Sequence, residues 1–98
     1  MNQETYSIRI TKNLNKKIRK LIKGDKRLDS RLRKVFKFLK IDPFYKGLRT
    51  HKVNTSKWGE VYSSRVTGDL RILWDFVEEE LVILIIDIGG HEGSKSVY

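Results

Sequence analysis

The chain has no cysteine, one proline, two histidines and no long apolar run. Without cysteine there is neither a disulfide nor a thiolate metal site. Two histidines are too few to anchor a dedicated zinc site by themselves. No apolar segment approaches the roughly 20 residues of a membrane span. The opening MNQETYSIRI has no apolar core of the kind a signal peptide needs. The expectation from these absences is a soluble, cytoplasmic protein that takes no metal and no cofactor. Acidic side chains are also scarce, but only in one half. Residues 1–40 carry 14 basic and 3 acidic side chains, whereas residues 41–98 carry 7 and 9, giving a net charge of +9. A basic half of this kind draws in polyanions. Nucleic acid or an acidic protein is the expected partner, rather than a membrane.

What is present suffices for one domain, residues 1–98, with 39% of side chains hydrophobic. TYSIRIT (Thr5 to Thr11) alternates and reads as a strand. In TKNLNKKIRKLIKG, residues Leu14, Ile18, Leu21 and Ile22 share one helical face, and Gly24 is a natural stop. Asp25 caps a second helix, DKRLDSRLRKVFKFLKI, with Leu28, Leu32, Val35, Phe36 and Leu39 on its apolar side. Asp42-Pro43 ends it. The short junction makes the pair a helical hairpin whose other faces are basic. Residues 44–59 show no sustained period and read as a loop. Three strands follow: Glu60 to Val66, Leu70 to Val77 and Leu81 to Ile88, the last apolar on both faces and so expected to be central. The order β-α-α-β-β-β predicts an α+β domain, a mostly antiparallel sheet packed against a helical hairpin.

The turn Thr67-Gly68-Asp69 sets a register. As a three-residue loop it pairs Val66 with Leu70, Arg65 with Arg71 and Ser64 with Ile72. Tyr62, Ser64, Val66, Leu70, Ile72 and Trp74 then face the helices, and Ser63, Arg65, Arg71, Leu73 and Asp75 face away. Like charges directly opposed weaken a hairpin. An anion between the two arginines relieves that repulsion, and phosphate matches an arginine fork. A nearby carboxylate such as Asp75 is the alternative neutraliser. His51 lies in LRTHKV between Arg49 and Lys52, either solvated or in contact with a phosphate. Phe44, Tyr45 and Trp58 read as anchors over the core edge, with base stacking as the alternative. Gly89-Gly90 is expected to turn the chain off the final strand toward His91. Asp87 either orients His91 or caps that turn. GGHEG is no phosphate loop, because no helix with Lys-Ser/Thr follows it.

Taken in order, the basic hairpin, LRTHKV, SSRVTGDLRILW and the close IIDIGGHEGSKSVY resemble the RelE/ParE superfamily of type II toxins, chiefly its YafQ-like and RelE-like mRNA interferases. The resemblance spans essentially the whole chain. No single motif is specific; their order and spacing are. It implies a ribosome-dependent endoribonuclease that inhibits translation, working in the bacterial cytoplasm and held in a hetero-oligomer by a cognate antitoxin. On this likeness Arg71 matches the arginine that steadies the scissile phosphate, and Arg65 matches a basic residue late in the preceding strand. His91 matches the catalytic position after the final strand, Tyr98 the closing aromatic and His51 a loop histidine. The implied RNA and ribosome contacts are Lys16, Lys17, Arg19, Lys20, Arg31 and Lys34 on the helices, with Arg49 and Lys52 beside His51. The chain departs from RelE in carrying Ser63 where RelE has a lysine. Its stretch from His91 to Tyr98 is also longer than is usual in such toxins.

The implied chemistry needs no metal. The substrate's 2′-hydroxyl attacks the adjacent phosphorus, so the site must supply a base, an acid and positive charge. Imidazole serves as either base or acid near neutral pH. Relatives of this shape that inhibit gyrase by binding, and a basic RNA-binding module without catalysis, are the competing readings, since fold does not fix function.

Overall fold

The computed structural model describes residues 3–90, so His91 and Tyr98 lie outside the described residues. Strand β1 (Ser7–Ile10) leads into helices α1 (Lys12–Ile22) and α2 (Lys26–Ile41). A single 3-10 turn (Lys46–Leu48) precedes strands β2 (His51–Thr55), β3 (Gly59–Arg65), β4 (Leu70–Phe76) and β5 (Val82–Gly90). Both helices begin at side-chain caps, which satisfy N–H groups that the helix itself leaves unpaired. Thr11 Oγ1 accepts from the Leu14 amide at 3.2 Å, and Asp25 Oδ1 accepts from that of Leu28 at 3.0 Å. Between the helices Gly24 adopts φ +75°, a left-handed conformation that costs glycine least.

The sheet runs β1-β5-β4-β3-β2, with β1 parallel to β5 and every other pair antiparallel. The two helices cover one face. Leu14 and Ile18 from α1, with Leu32, Val35 and Leu39 from α2, meet Ile72, Trp74, Ile83, Ile85 and Ile88. Each such fully buried side chain contributes about 1.5–3 kcal/mol. The expected α+β architecture is the one observed, and no helix among the described residues is long and apolar enough to cross a membrane. β5 is interior, as its apolar run predicts, although β4 holds the centre.

Two expectations are corrected. The stretch read as a loop contains β2, a fifth strand paired on one side only, through His51↔Ser63 to Thr55↔Gly59. An edge strand that buries only Thr55 leaves little alternation to detect. Gly89 and Gly90 do not turn away; they extend β5 and pair with Arg71 and Leu70. The face away from the helices also buries side chains, among them Val61, Ser63 and Leu73.

A polar chain holds the strands to the connection after α2. The Trp74 indole N–H donates to Ser64 Oγ at 2.8 Å, and Ser64 Oγ lies 2.6 Å from Thr50 Oγ1. The Thr50 hydroxyl donates to the Pro43 carbonyl at 2.7 Å, which leaves Ser64 as donor to Thr50. Phe44 and Tyr45 are anchors: Phe44 sits against Tyr62, Trp74 and Phe76, and Tyr45 stacks on Phe38 at 4.5 Å. Trp58 is exposed, as Phe44 and Tyr45 are despite their ring contacts, with the Lys57 ammonium 4.9 Å from the Trp58 ring centre.

Candidate functional site

The register across β2, β3, β4 and β5 builds the site. Side chains of a strand alternate between faces, and directly paired residues share one. One row across the helix-free face runs His51, Ser63, Leu73, Asp87. The adjoining row is Arg65, Arg71, Gly89. The pairing Arg65↔Arg71 is the one the three-residue turn predicts, and it is held by the Val66 and Thr67 amides donating to the Leu70 carbonyl at 2.9 and 3.1 Å. The two arginines thus pair directly across β3 and β4, and the next position in the row is a glycine with no side chain. Glycine inside a strand commonly marks a close approach by a ligand or another backbone.

Arg71 carries a second signal. Its Nε is buried and has no hydrogen-bond partner among the described residues. Such a donor is costly to leave unmet. Neither Arg65 nor Arg71 forms an ion pair there; the three that occur join Lys17 to Asp87, Arg33 to Asp29 and Lys52 to Glu60. The sequence alternative, Asp75 as neutraliser, is not realised. Asp75 Oδ1 accepts from the Phe76 amide instead.

His51 opens β2 and is exposed. Its Nδ1 lies 3.0 Å from the Arg49 carbonyl oxygen. A carbonyl only accepts, so this contact puts the proton on Nδ1 and leaves the lone pair of a neutral ring on Nε2. Arg49 itself adopts φ +50°, which swings the chain out of the 3-10 turn and into β2. His51 therefore lies on the arginine-bearing face, diagonal to Arg65.

Other predicted contact residues are placed differently. Lys52 alternates to the opposite face, 3.2 Å from Glu60 and over the Tyr62 ring. The hydrogen bond and charge of Glu60 raise its pKa above the ordinary 10.5. Arg31 Nε donates to the Val66 carbonyl at 3.0 Å and so braces the β3–β4 turn from α2. Lys17 reaches Asp87 at 2.7 Å, past the end of β1, which pairs β5 only as far as Ile85. Asp87 also accepts from the Ile88 amide, so this carboxylate has two uses among the described residues. Lys16, Arg19, Lys20 and Lys34 are exposed on the helices. Sequence reasoning missed Arg9, which faces away from the helices on β1 while Ile8 and Ile10 pack on the core. The alternation in SIRI carries that signal. The Lys17–Asp87 pair joins residues too far apart in sequence to leave one. Among the described residues no group of three His, Asp or Glu converges to hold a metal ion.

No family model matches the sequence, and no curated protein matches it significantly. Solved structures do match in backbone. The chain is similar to the archaeal RelE of the RelE–RelB complex from Pyrococcus horikoshii OT3, with a TM-score of 0.71 and 21% identity over 92% of this chain and 99% of that one. It is also similar to the YoeB/ParE toxin from Agrobacterium tumefaciens, with a TM-score of 0.69 and 16% identity over 88% and 99%. A third likeness is to YafQ from E. coli strain BL21(DE3), with a TM-score of 0.67 and 15% identity over 87% and 92%. The two helices laid on a five-stranded mixed sheet are thus the fold of the RelE/ParE superfamily toxins.

Proposed function

We propose that the protein is the toxin of a type II toxin–antitoxin pair and that it cleaves mRNA on the ribosome without a metal ion. The observation that carries this reading is Arg71, its buried Nε without a partner among the described residues, paired with Arg65 on one side and with a glycine on the other. A guanidinium with an unmet donor suits a phosphodiester whose charge grows in the transition state. The substrate's 2′-oxygen bonds to phosphorus as its proton passes to a base. The P–O5′ bond breaks, and an acid protonates the departing 5′-oxygen, leaving a 2′,3′-cyclic phosphate. Arg71 holds the phosphate, with Arg65 beside it. His91, two residues beyond the Gly89 that pairs with Arg71, is the proposed principal acid or base. His51, with Nε2 free of the Arg49 contact, is the second. Tyr98 is proposed to stack on a base.

The basic outer surfaces of α1 and α2 are the proposed docking face for ribosomal RNA, through Lys16, Arg19, Lys20 and Lys34. An acidic antitoxin is the proposed second partner, in keeping with the RelE–RelB and DinJ–YafQ complexes among the similar structures. The proposed location is the bacterial cytoplasm. Induced expression with mapping of mRNA ends tests the reading. Wild type should arrest translation and produce new 5′-hydroxyl ends, and Arg71→Ala and His91→Gln should do neither. Arrest by both variants at the wild-type level would refute the site. Arrest without mRNA cleavage, with loss of DNA supercoiling activity, would instead place the protein among inhibitors that act by binding.

A further inference from the structure

We infer that Arg65 works chiefly outside the Arg71 pair, as one corner of a second phosphate site for the RNA strand. The pocket lies between α2 and the end of β3, encloses about 330 Å³ and is lined by Arg31, Lys34 and Arg65 over a floor of Val35, Leu48 and Val66. That volume lies at the lower end of the ~300–1,000 Å³ of small-ligand sites. Its lining holds three cations and no acid, and none of the three pairs with a carboxylate among the described residues. Arg31 is fixed by its Nε bond to the Val66 carbonyl, which leaves its terminal nitrogens as free donors. Lys34 follows one helical turn later on the same side of α2.

The position of Arg65 links the two sites. β2 pairs with β3 only as far as Ser63, so among the described residues no strand partners the β2-side edge of β3 at Arg65. At that edge the Arg65 side chain lines a pocket on the helix side of the sheet, with its Nη2 3.9 Å from where a Cβ on Gly68 would stand. Its backbone still pairs with Arg71. A strand whose scissile phosphate meets Arg71 would therefore present a neighbouring phosphate to Arg65, Arg31 and Lys34. A compact pocket with three converging cations suits a phosphodiester held by arginine forks better than an acidic helix, which needs a long groove. This inference rests on RNA being the ligand, as proposed above, but not on RNA being cut.

The test uses the full chain and a labelled single-stranded RNA of about ten nucleotides, with affinity followed by fluorescence anisotropy across a salt series. Each phosphate contact on a single strand contributes about 0.7 to the slope of log K against log salt. Lys34→Gln should lower that slope by about 0.7 and weaken binding severalfold at low salt. Lys37→Gln, the same charge change one turn further along α2 and outside the pocket, should leave the slope unchanged. Equal effects from the two variants would reduce the pocket to general surface charge and overturn the inference. So would a glutamate-rich peptide whose binding falls with Lys34→Gln while RNA binding does not. A protein that shows the Lys34 slope change yet never cleaves mRNA keeps this site and loses the proposed activity.

Discussion

Replacing Arg71 with methionine should make the protein more stable while ending its proposed toxicity. Methionine keeps an unbranched stem to cover Leu73 and Gly89 but removes the guanidinium. Two unfavourable contributions vanish with it. The like charge of Arg65 on the paired position costs no more than the low end of roughly 0.2–1 kcal/mol, because its side chain reaches toward α2. The Nε, unmet among the described residues, costs about 1–3 kcal/mol where it is fully dry. Because the rest of the side chain is only half-buried, a net gain of about 1 kcal/mol is the expectation. Urea unfolding of Arg71→Met should show a higher midpoint at unchanged slope. The melting temperature should rise by roughly 4–8 °C. Added inorganic phosphate should then narrow the gap. It stabilises wild type by binding the native state, and the variant gains only the general salting effect. A lower midpoint for Arg71→Met would refute the argument, since it would mean that the arginine is satisfied and structural. An equal response of both proteins to phosphate would refute the anion site itself.

Two further outcomes follow from the same geometry. Ser64→Ala should strand the buried Trp74 N–H and cost about 1–3 kcal/mol in urea unfolding, whereas Ser64→Ala in a Trp74→Phe background should cost clearly less. Carbon-13 titration of the lysine side chains should find Lys52 losing its proton above pH 10.5, and Glu60→Gln should bring it back down. Its folded pKa is raised, so whatever stability this exposed pair adds is complete below 10.5 and is lost as pH climbs through the raised value.

Much of this could be read before the fold was seen, for local reasons. Asp25 is a short polar residue just ahead of an apolar helical period, and it caps its helix. The Arg65–Arg71 pairing needed only the length of the turn between them. What escaped depends on distant neighbours. The segment HKVNT offers one β-branched aliphatic residue, and it becomes a strand because β3 supplies hydrogen bonds along one edge. Lys52 flanks His51 in sequence but alternates onto the other face once that strand exists. Gly89 and Gly90 look like a turn by composition, yet the β4 ladder holds them extended. The helix-side reach of Arg65 depends on where β2 stops pairing, which no local pattern encodes.

The parallel partnership of β1 with β5 also governs when the molecule can come into being. Ser7 must wait for Val82. The helical hairpin and the β3–β4 turn close over short loops and can form early, whereas a parallel pair between distant segments is entropically slow. Synthesis proceeds at about 5–20 residues per second, so β1 spends several seconds on a nascent chain with an unpaired edge. Gly89 reaches Arg71 only when β5 docks. The proposed anion site is therefore finished in the same late step that closes the sheet. A nascent chain still on its own ribosome carries the basic helices before it carries the completed site.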